Sequence, residues 1–432
     1  MAHPICAPAT PLFPAALAVV RVSGTDLTAI FAPFVGLPPP RRAELRWLEW
    51  DGYREQALVL FFPAPASPTG EDVAEFHLHG NPLLVRRFLE HLGHLGIRLA
   101  EPGEFARRSL LNGKQSLLGV EALRDLINAA TDTQLRQAQA RSGGLPTWIG
   151  EAKQALAPWI AQAEAAVDYG EDEDIHLDLG RMKHELANLQ ERFHVEQRRS
   201  QAARWLRDGL SVALVGRPNA GKSTLFNTLA GEDRAIVTEI PGTTRDVLEV
   251  RTEWAGLPLF LFDTAGLRTT EDPVERLGVA RVQAVLEKAD VILHLVPAMD
   301  ERPEAGILER LAPFEAKVLT VRNQSDLAPG NGLRISALTG DLAALEEVLK
   351  QRFLGGQAPD TCLGALATQR QRELLDELVL QTESLFLLPE DCPSEIPASI
   401  LQGLWGLLAR LTGEDRAETT LDQVFSGFCL GK

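Results

Sequence analysis

GRPNAGKS, residues 216–223, stands between an apolar run at Val212–Val215 and a helical pattern at Thr224–Leu229. It has the form of a phosphate-binding P-loop in the strand-to-helix context that this motif needs. The glycines let backbone N–H groups surround phosphate oxygens, Lys222 reaches the terminal phosphates and Ser223 offers a hydroxyl to Mg²⁺. The predicted nucleotide contacts here are Asn219, Ala220, Gly221, Lys222, Ser223 and Thr224.

The sequence around the P-loop predicts the fold of its domain. β-rich runs at Leu259–Phe262, Val291–Val296 and Val318–Val321 alternate with helical patterns, as βαβ units do. We therefore predict a doubly wound, mainly parallel sheet in a P-loop domain over residues 208–356.

The base specificity is indicated by Asn323-Gln324-Ser325-Asp326, which resembles the Asn-Lys-x-Asp guanine motif. A carboxylate at Asp326 can accept both N–H groups of the guanine edge, a pattern that adenine cannot offer. Gln324 replaces the usual lysine, which would lie over the base, so we expect weaker affinity rather than altered base choice. Ser336 and Ala337 resemble the loop that supports the base.

Two further segments complete a GTPase pattern. Asp263-Thr264-Ala265-Gly266 follows a strand, where Asp263 would support the Mg²⁺ shell and Gly266 the γ-phosphate. Thr238 begins a switch loop in which Thr244 is the natural second Mg²⁺ ligand. The switch-loop contacts predicted for the nucleotide are Thr238, Glu239, Ile240, Pro241, Gly242, Thr243 and Thr244, and those of the other segment are Asp263, Thr264, Ala265 and Gly266.

The water-orienting glutamine of Ras-type GTPases is missing, because its position holds Leu267, which cannot hydrogen-bond to water. Asn219 and the Thr-rich switch loop resemble the potassium-dependent branch of translation-factor-like GTPases. In that branch a K⁺ ion stands in for an arginine finger, and two GTPase domains dimerise around it. The resemblance implies K⁺ contacts from Asn219, Thr238, Ile240 and Thr243.

Composition limits the remaining possibilities. The chain has 432 residues, a net charge of −16 and four cysteines. The charge excludes a generally basic surface for nucleic acid, and the cysteines are too few and too scattered for a disulfide framework. No apolar run approaches the length of a membrane span, so we expect a cytoplasmic protein with no membrane contact.

The pattern of apolar and polar residues outside the P-loop domain predicts three further segments. An N-terminal α+β domain covers residues 1–115, and helices cover 116–207 and 357–432. The two helical segments would pack together as one discontinuous helical domain into which the P-loop domain is inserted.

The order of these parts, together with remote motifs, resembles the family of tRNA modification GTPases known as MnmE or TrmE. The likeness covers nearly the whole chain. Its motifs are Val20-Arg21-Val22-Ser23-Gly24, Thr69-Gly70-Glu71-Asp72-Val73-Ala74-Glu75, His79-Gly80, Pro102-Gly103-Glu104-Phe105, Leu111-Asn112-Gly113-Lys114, Val237–Asp246, Val274-Glu275-Arg276-Leu277-Gly278 and the ending Phe428-Cys429-Leu430-Gly431-Lys432.

The resemblance implies an N-terminal dimerisation and folate-binding domain and therefore a homodimer. It assigns a 5-formyltetrahydrofolate-type one-carbon donor to Arg21, Glu75, Lys114 and Lys432. Catalytic roles fall to Glu275, which would orient the attacking water, and to Cys429, near the modification chemistry.

The resemblance also implies the reaction. With an FAD-containing partner of the MnmG type, in a heterotetramer, such proteins add a (carboxymethyl)aminomethyl group at carbon 5 of the wobble uridine of certain tRNAs. Because the chain is acidic, tRNA would dock mainly on that partner.

Three departures make the chain a divergent member: Pro11-Leu12-Phe13-Pro14-Ala15-Ala16 replaces a Gly-rich stretch, Asn81 replaces a glycine, and Gln324 replaces a lysine. Two alternatives stay open. One is a non-catalytic GTP-binding assembly switch, which would not explain the folate motif or Cys429. The other is a paralogue with slow turnover.

Overall fold

The computed structural model describes residues 3–168, 177–231, 249–263, 282–298, 305–327 and 331–414, with residues 424, 425, 428 and 431. These residues belong to two compact units, one up to Arg124 together with those from Ala409 on, and one from Asp125 to Leu408. Among the described helices, none combines the length and the apolar character that crossing a bilayer requires.

The first unit is built on a six-stranded sheet with the order β3-β4-β5-β2-β1-β6. Its core lies between one face of the sheet and the helices α1 and α2, where Phe31, Phe76 and Phe88 are fully buried. The elements are β1 (Ile5–Pro8), β2 (Ala15–Gly24), α1 (Leu27–Phe31), β3 (Glu44–Trp50), β4 (Tyr53–Phe62), β5 (Asp72–Gly80), α2 (Pro82–His94), β6 (Arg98–Leu99), α3 (Glu104–Leu111) and α4 (Leu117–Asn128).

The end of the chain returns to this first unit. Val424, Phe425 and Phe428 pack with Leu110 and Leu117 in a small apolar cluster. Gly431 lies so close to the carbonyl of Pro8 that a β-carbon there would overlap it, and its φ of 91° suits only glycine well. Gly431 is therefore held beside β1.

The second unit contains long helices and a five-stranded sheet with the order β11-β10-β7-β9-β8. All pairs in the sheet are parallel except β8 with β9, which confirms the mainly parallel sheet predicted from the sequence. The elements are α5 (Asp132–Ser142), α6 (Thr147–Asp168), α7 (Leu179–Asp208), β7 (Leu210–Gly216), α8 (Lys222–Ala230), β8 (Glu249–Trp254), β9 (Leu257–Asp263), β10 (Val291–Pro297), α9 (Ala305–Leu311), β11 (Val318–Asn323), α10 (Ala343–Leu354), α11 (Gln369–Leu387) and α12 (Glu395–Thr412).

Helices before and after the inserted sheet do pack together. Gln197 on α7 donates to Asp376 on α11 at 2.8 Å, and Gln402 on α12 donates to Glu164 on α6 at 3.0 Å. The apolar stripe of α12 is buried at Leu401, Leu404 and Leu408. The discontinuous helical domain is thus present.

A buried carboxylate joins three of these helices. Asp125, at the end of α4, pairs with Arg141 of α5 and, at 2.8 Å, with Arg207 of α7. Burial alone would raise the pKa of Asp125, but the two guanidinium groups hold it below its usual value. The carboxylate therefore stays ionised inside the helical part of the unit.

Candidate functional site

The P-loop lies where the sequence analysis predicted it, between the end of β7 and the start of α8. Asn219 has a left-handed backbone with φ of 66°, and Lys222 Nζ donates to the carbonyls of Gly216 and Arg217 at 2.7 and 2.6 Å. Ser223 and Thr224 occupy the exposed first turn of α8. The loop, Lys222 and the positive end of α8 therefore lie together, an arrangement suited to an anion.

The guanine motif is attached to the P-loop by the side chain of Asn323, which is 2% exposed. Its Nδ2 donates to the carbonyl of Ala220 at 2.9 Å, and its Oδ1 accepts from the backbone N–H of Ala337 at 3.0 Å. One amide thus holds the phosphate loop and the base-supporting loop together. A β-carbon at Gly221 would overlap the Asn323 amide nitrogen, so the approach needs glycine at that position.

Asp326 stands at the surface beyond this contact. The hydroxyl of the buried Ser336 donates to Asp326 Oδ1 at 2.6 Å, which fixes the direction of the carboxylate. Gln324, in the place of the usual lysine, has φ of 66°. The structure thus brings Asn323, Asp326, Ser336 and the P-loop into one place, as the sequence pattern required.

Part of the predicted site lies outside the described residues. These residues are Thr238, Glu239, Ile240, Pro241, Gly242, Thr243, Thr244, Thr264, Ala265, Gly266, Glu275, Cys429 and Lys432, together with the side chain of Asp263. The backbone of Asp263 is described at the end of β9, where it pairs with Leu214 of the strand that leads into the P-loop.

In the first unit the structure brings two predicted folate residues together. Arg21 on β2 and Glu75 on β5 are directly opposite each other, and Arg21 Nη2 lies 2.9 Å from Glu75 Oε1. His77, two residues along β5, has Nε2 at 3.5 Å from Glu75 Oε2. All three share the sheet face opposite to α1 and α2, because cross-strand partners and alternate residues point the same way.

His77 is a candidate that the sequence reasoning missed. Nothing in the motif Thr69–Glu75 marks it, and only the alternation along β5 would have placed it on the face of Glu75. Lys114 is exposed, and its methylene groups lie beside Gly70. No contact of Lys114 with Arg21 or Glu75 is found among the described residues.

Other motif residues of this unit form a buried polar network. Arg108 Nη1 pairs with Glu71 at 2.9 Å and Arg108 Nη2 pairs with Glu104 at 2.9 Å, while Ser23 Oγ donates to Glu71 at 2.8 Å. Burial alone would raise the pKa of Glu104, but hydrogen bonds from Arg98, a backbone N–H and Arg108 lower it to about 2. These residues tie α3 to the sheet.

Comparison with known protein families agrees with this division. The model described as "GTP-binding protein TrmE N-terminus" matches residues 4–114, and the model "MnmE helical domain" matches residues 117–429. The chain belongs to the MnmE (TrmE) family of tRNA modification GTPases. The two family matches together cover residues 4–114 and 117–429, so the resemblance is not confined to the short motifs.

Individual relatives of the MnmE family match over almost their full length. The tRNA modification GTPase MnmE of Phenylobacterium zucineum is 42% identical, and the match covers 100% of both chains. That of Azoarcus sp. is 40% identical, and the match covers 96% of this chain and 95% of the relative. A solved structure, the G domain of the T. maritima FeoB iron transporter, is 26% identical with a TM-score of 0.26, covering 34% of this chain and 98% of that one.

Proposed function

We propose that this chain hydrolyses GTP in the modification of wobble uridine in tRNA. The observation that carries the proposal is the Asn323 amide, which joins a P-loop to a guanine-type motif through hydrogen bonds of 2.9 and 3.0 Å. This arrangement lies within a chain that matches MnmE relatives from end to end. GTP and Mg²⁺ are accordingly its nucleotide and metal.

The nucleotide chemistry follows from the residues in place. Asp326, aligned by Ser336, accepts the two N–H groups of guanine, while α8 and Lys222 hold the phosphates. Ser223 and Thr244 supply hydroxyl ligands for Mg²⁺. We assign K⁺ to Asn219, Thr238, Ile240 and Thr243, and the orientation of the attacking water to Glu275.

The first unit takes a folate one-carbon donor in this proposal. The guanidinium of Arg21 aligns the Glu75 carboxylate at 2.9 Å, and a carboxylate pairs with the aminopterin edge of a folate. Lys114 and Lys432 offer cations for the carboxylate tail. Because Gly431 packs against Pro8, the tail that carries Cys429 belongs to the same unit.

For the complete reaction we propose a homodimer that works with an FAD-containing MnmG-type partner and adds the (carboxymethyl)aminomethyl group at carbon 5 of the uridine. A net charge of −16 leaves little attraction for phosphate, so tRNA docks mainly on the partner. Salt-sensitive, tight tRNA binding by this chain alone would contradict that division of labour.

The nucleotide assignment is tested by exchanging the acceptor at the base. Asp326→Asn replaces one carboxylate oxygen with an amide donor, which no longer matches the 2-amino group of guanine but matches the 2-oxo group of xanthine. We expect GTP hydrolysis at limiting nucleotide to fall at least about tenfold, and XTP hydrolysis to rise, since one mismatched hydrogen bond costs roughly 1–3 kcal/mol. Asp360→Asn is the matched control, because Asp360 is exposed and remote from the motif in sequence.

The catalytic assignment is tested by GTP hydrolysis in K⁺ and in Na⁺, with wild type and Glu275→Ala in parallel. Strong stimulation by K⁺ in wild type, with turnover lost in the variant, would support the mechanism. Turnover that is slow and indifferent to both changes would favour the assembly-switch or slow-paralogue alternative. Loss of wobble modification in a reconstituted reaction, read by nucleoside mass spectrometry, would link turnover to tRNA.

The folate assignment needs a binding measurement of its own. Glu75→Gln keeps the size of the side chain but loses its charge, so 5-formyltetrahydrofolate should bind more weakly. Glu90→Gln is the control, because Glu90 is an exposed glutamate of α2. Equal folate binding by both variants would remove Glu75 from the site.

A further inference from the structure

A cluster of three possible metal ligands lies in the first unit, away from Arg21 and Glu75 in the sheet register. Asp51 stands in the turn between β3 and β4, and His91 and His94 stand in the last turn of α2. One ligand atom from each side chain lies within 4.8 Å of the others. It is the one such group found among the described residues.

The positions of these side chains are fixed by local structure. Trp50 and Tyr53 are paired across the hairpin, so Asp51 and Gly52 form a two-residue turn, with φ of 44° and 83°. Positive φ at both positions is typical of a type I′ turn, which Asp-Gly favours. His94 follows His91 by three residues, so both project from the same side of the helix.

The ring of His91 is held by aromatic neighbours. Its centroid lies 4.8 Å from that of Phe34 and 6.2 Å from that of Trp50, and 15% of its side chain is exposed. Both ring nitrogens are buried, and neither has a hydrogen-bond partner in the described part of the chain. A buried polar atom without a partner costs about 1–3 kcal/mol, so this ring calls for a further ligand.

The spacing fits a small divalent ion. Asp51 Oδ2 lies 3.6 Å from His91 Nδ1, longer than a hydrogen bond. Two ligands of a tetrahedral zinc ion stand about 3.4 Å apart, since zinc–nitrogen and zinc–oxygen bonds are about 2.0–2.2 Å. The exposed side chains of Asp51 and His94 can close the remaining gap by rotation.

The donor set selects the class of metal. Two imidazoles and one carboxylate suit Zn²⁺ and its neighbours in the transition series, whereas Mg²⁺ and Ca²⁺ prefer oxygen ligands throughout. We propose that Asp51, His91 and His94 bind a zinc-type divalent ion that fastens the β3–β4 turn to the end of α2. Water completes the coordination.

The test uses the full chain, freed of metal by chelation and kept in excess Mg²⁺ so that the P-loop site does not take the probe. Zn²⁺ binding is measured by titration calorimetry, and Co²⁺ serves as a visible-absorption probe of coordination. The variants are Asp51→Asn, which keeps a residue suited to the turn, and His94→Ala, at an exposed position. His184→Ala, an exposed histidine of α7, is the matched control.

We expect wild type and His184→Ala to bind one ion that Asp51→Asn and His94→Ala bind at least roughly tenfold more weakly, with loss of the Co²⁺ absorption. Equal binding by all four proteins would place the metal elsewhere and overturn the proposal. A wild type that binds no ion would overturn it as well, and would leave His91 paired only with Asp51.

Discussion

Asn323→Ala is the substitution that best tests how the nucleotide site is built. It deletes the donor to the Ala220 carbonyl and the acceptor for the Ala337 N–H, and both of those residues are buried. Each stranded group costs about 1–3 kcal/mol, so the two together cost about 2–6 kcal/mol. A factor of ten in affinity corresponds to about 1.4 kcal/mol. GTP affinity should therefore fall by roughly 30-fold or more if the lost hydrogen bonds destabilise the GTP-bound protein by that much more than the free protein.

The assay is an equilibrium titration with a fluorescent GTP analogue, together with urea unfolding of the nucleotide-free protein. Both should change, because the two hydrogen bonds are made within the chain. Asn227→Ala, the same substitution at an exposed position of α8, is the control and should change neither. Gly221→Ala should reproduce the loss of affinity by another route, since its β-carbon displaces the Asn323 amide.

Nucleotide affinity within about threefold of wild type, with an unchanged unfolding midpoint, would refute this reasoning. It would mean that the P-loop and the base-supporting loop hold their positions without Asn323. A loss of affinity with no loss of stability would instead show that Asn323 acts through the nucleotide and not as a link between the loops.

Three further predictions concern other parts of the chain. Gln324→Lys should raise GTP affinity by about two- to fivefold in the same titration, because a cation over the base adds about 0.5–1 kcal/mol; no gain would contradict the placement of residue 324 over the base. The pKa of Glu104 is lowered to about 2, so its contribution to stability is complete above its unfolded value and is lost as pH falls from about 4.5 towards 2. Glu104→Gln should therefore flatten the dependence of unfolding free energy on pH in that window, and an unchanged slope would argue against the charged network. Asp125→Asn removes the carboxylate that pairs with the buried Arg141 and should cost about 3–5 kcal/mol in urea unfolding, although Arg207 keeps its pair with Asp208; exposed Asp360→Asn should cost less than about 1 kcal/mol.

The features that could be predicted best from the sequence are those formed by consecutive residues. The P-loop, the strands that feed it and the guanine motif each combine a local pattern with a chemical purpose, and β7, β11 and α8 lie where those patterns placed them. Strand β3 (Glu44–Trp50) shows the opposite case, because only the Asp-Gly that follows it signals a hairpin. It is an edge strand with charged residues at 44, 46 and 49, so it has no continuous apolar run to mark it.

What the sequence could not give is the set of contacts between distant segments. Asp51 is explained by its turn and His91 by its helix, so neither residue suggests a metal ligand until α2 and the hairpin are seen together. His77 likewise gains interest only from its place beside Glu75. The metal cluster depends on how α2 packs against the hairpin, and the position of His77 depends on which face of the sheet each residue of β5 occupies. A single sequence leaves both open.

The motifs that carry the family resemblance divide into two physical groups. Glu71 and Glu104 are engaged by the buried Arg108 and serve the fold, whereas Arg21 and Glu75 pair with each other on the sheet face away from α1 and α2. Motif matching treats all four residues alike, but their partners differ. Ala7 pairs with Arg21, and the next residue, Pro8, receives Gly431 at the far end of the chain. Gly431 therefore lies against β1, the strand that pairs with the Arg21 strand β2.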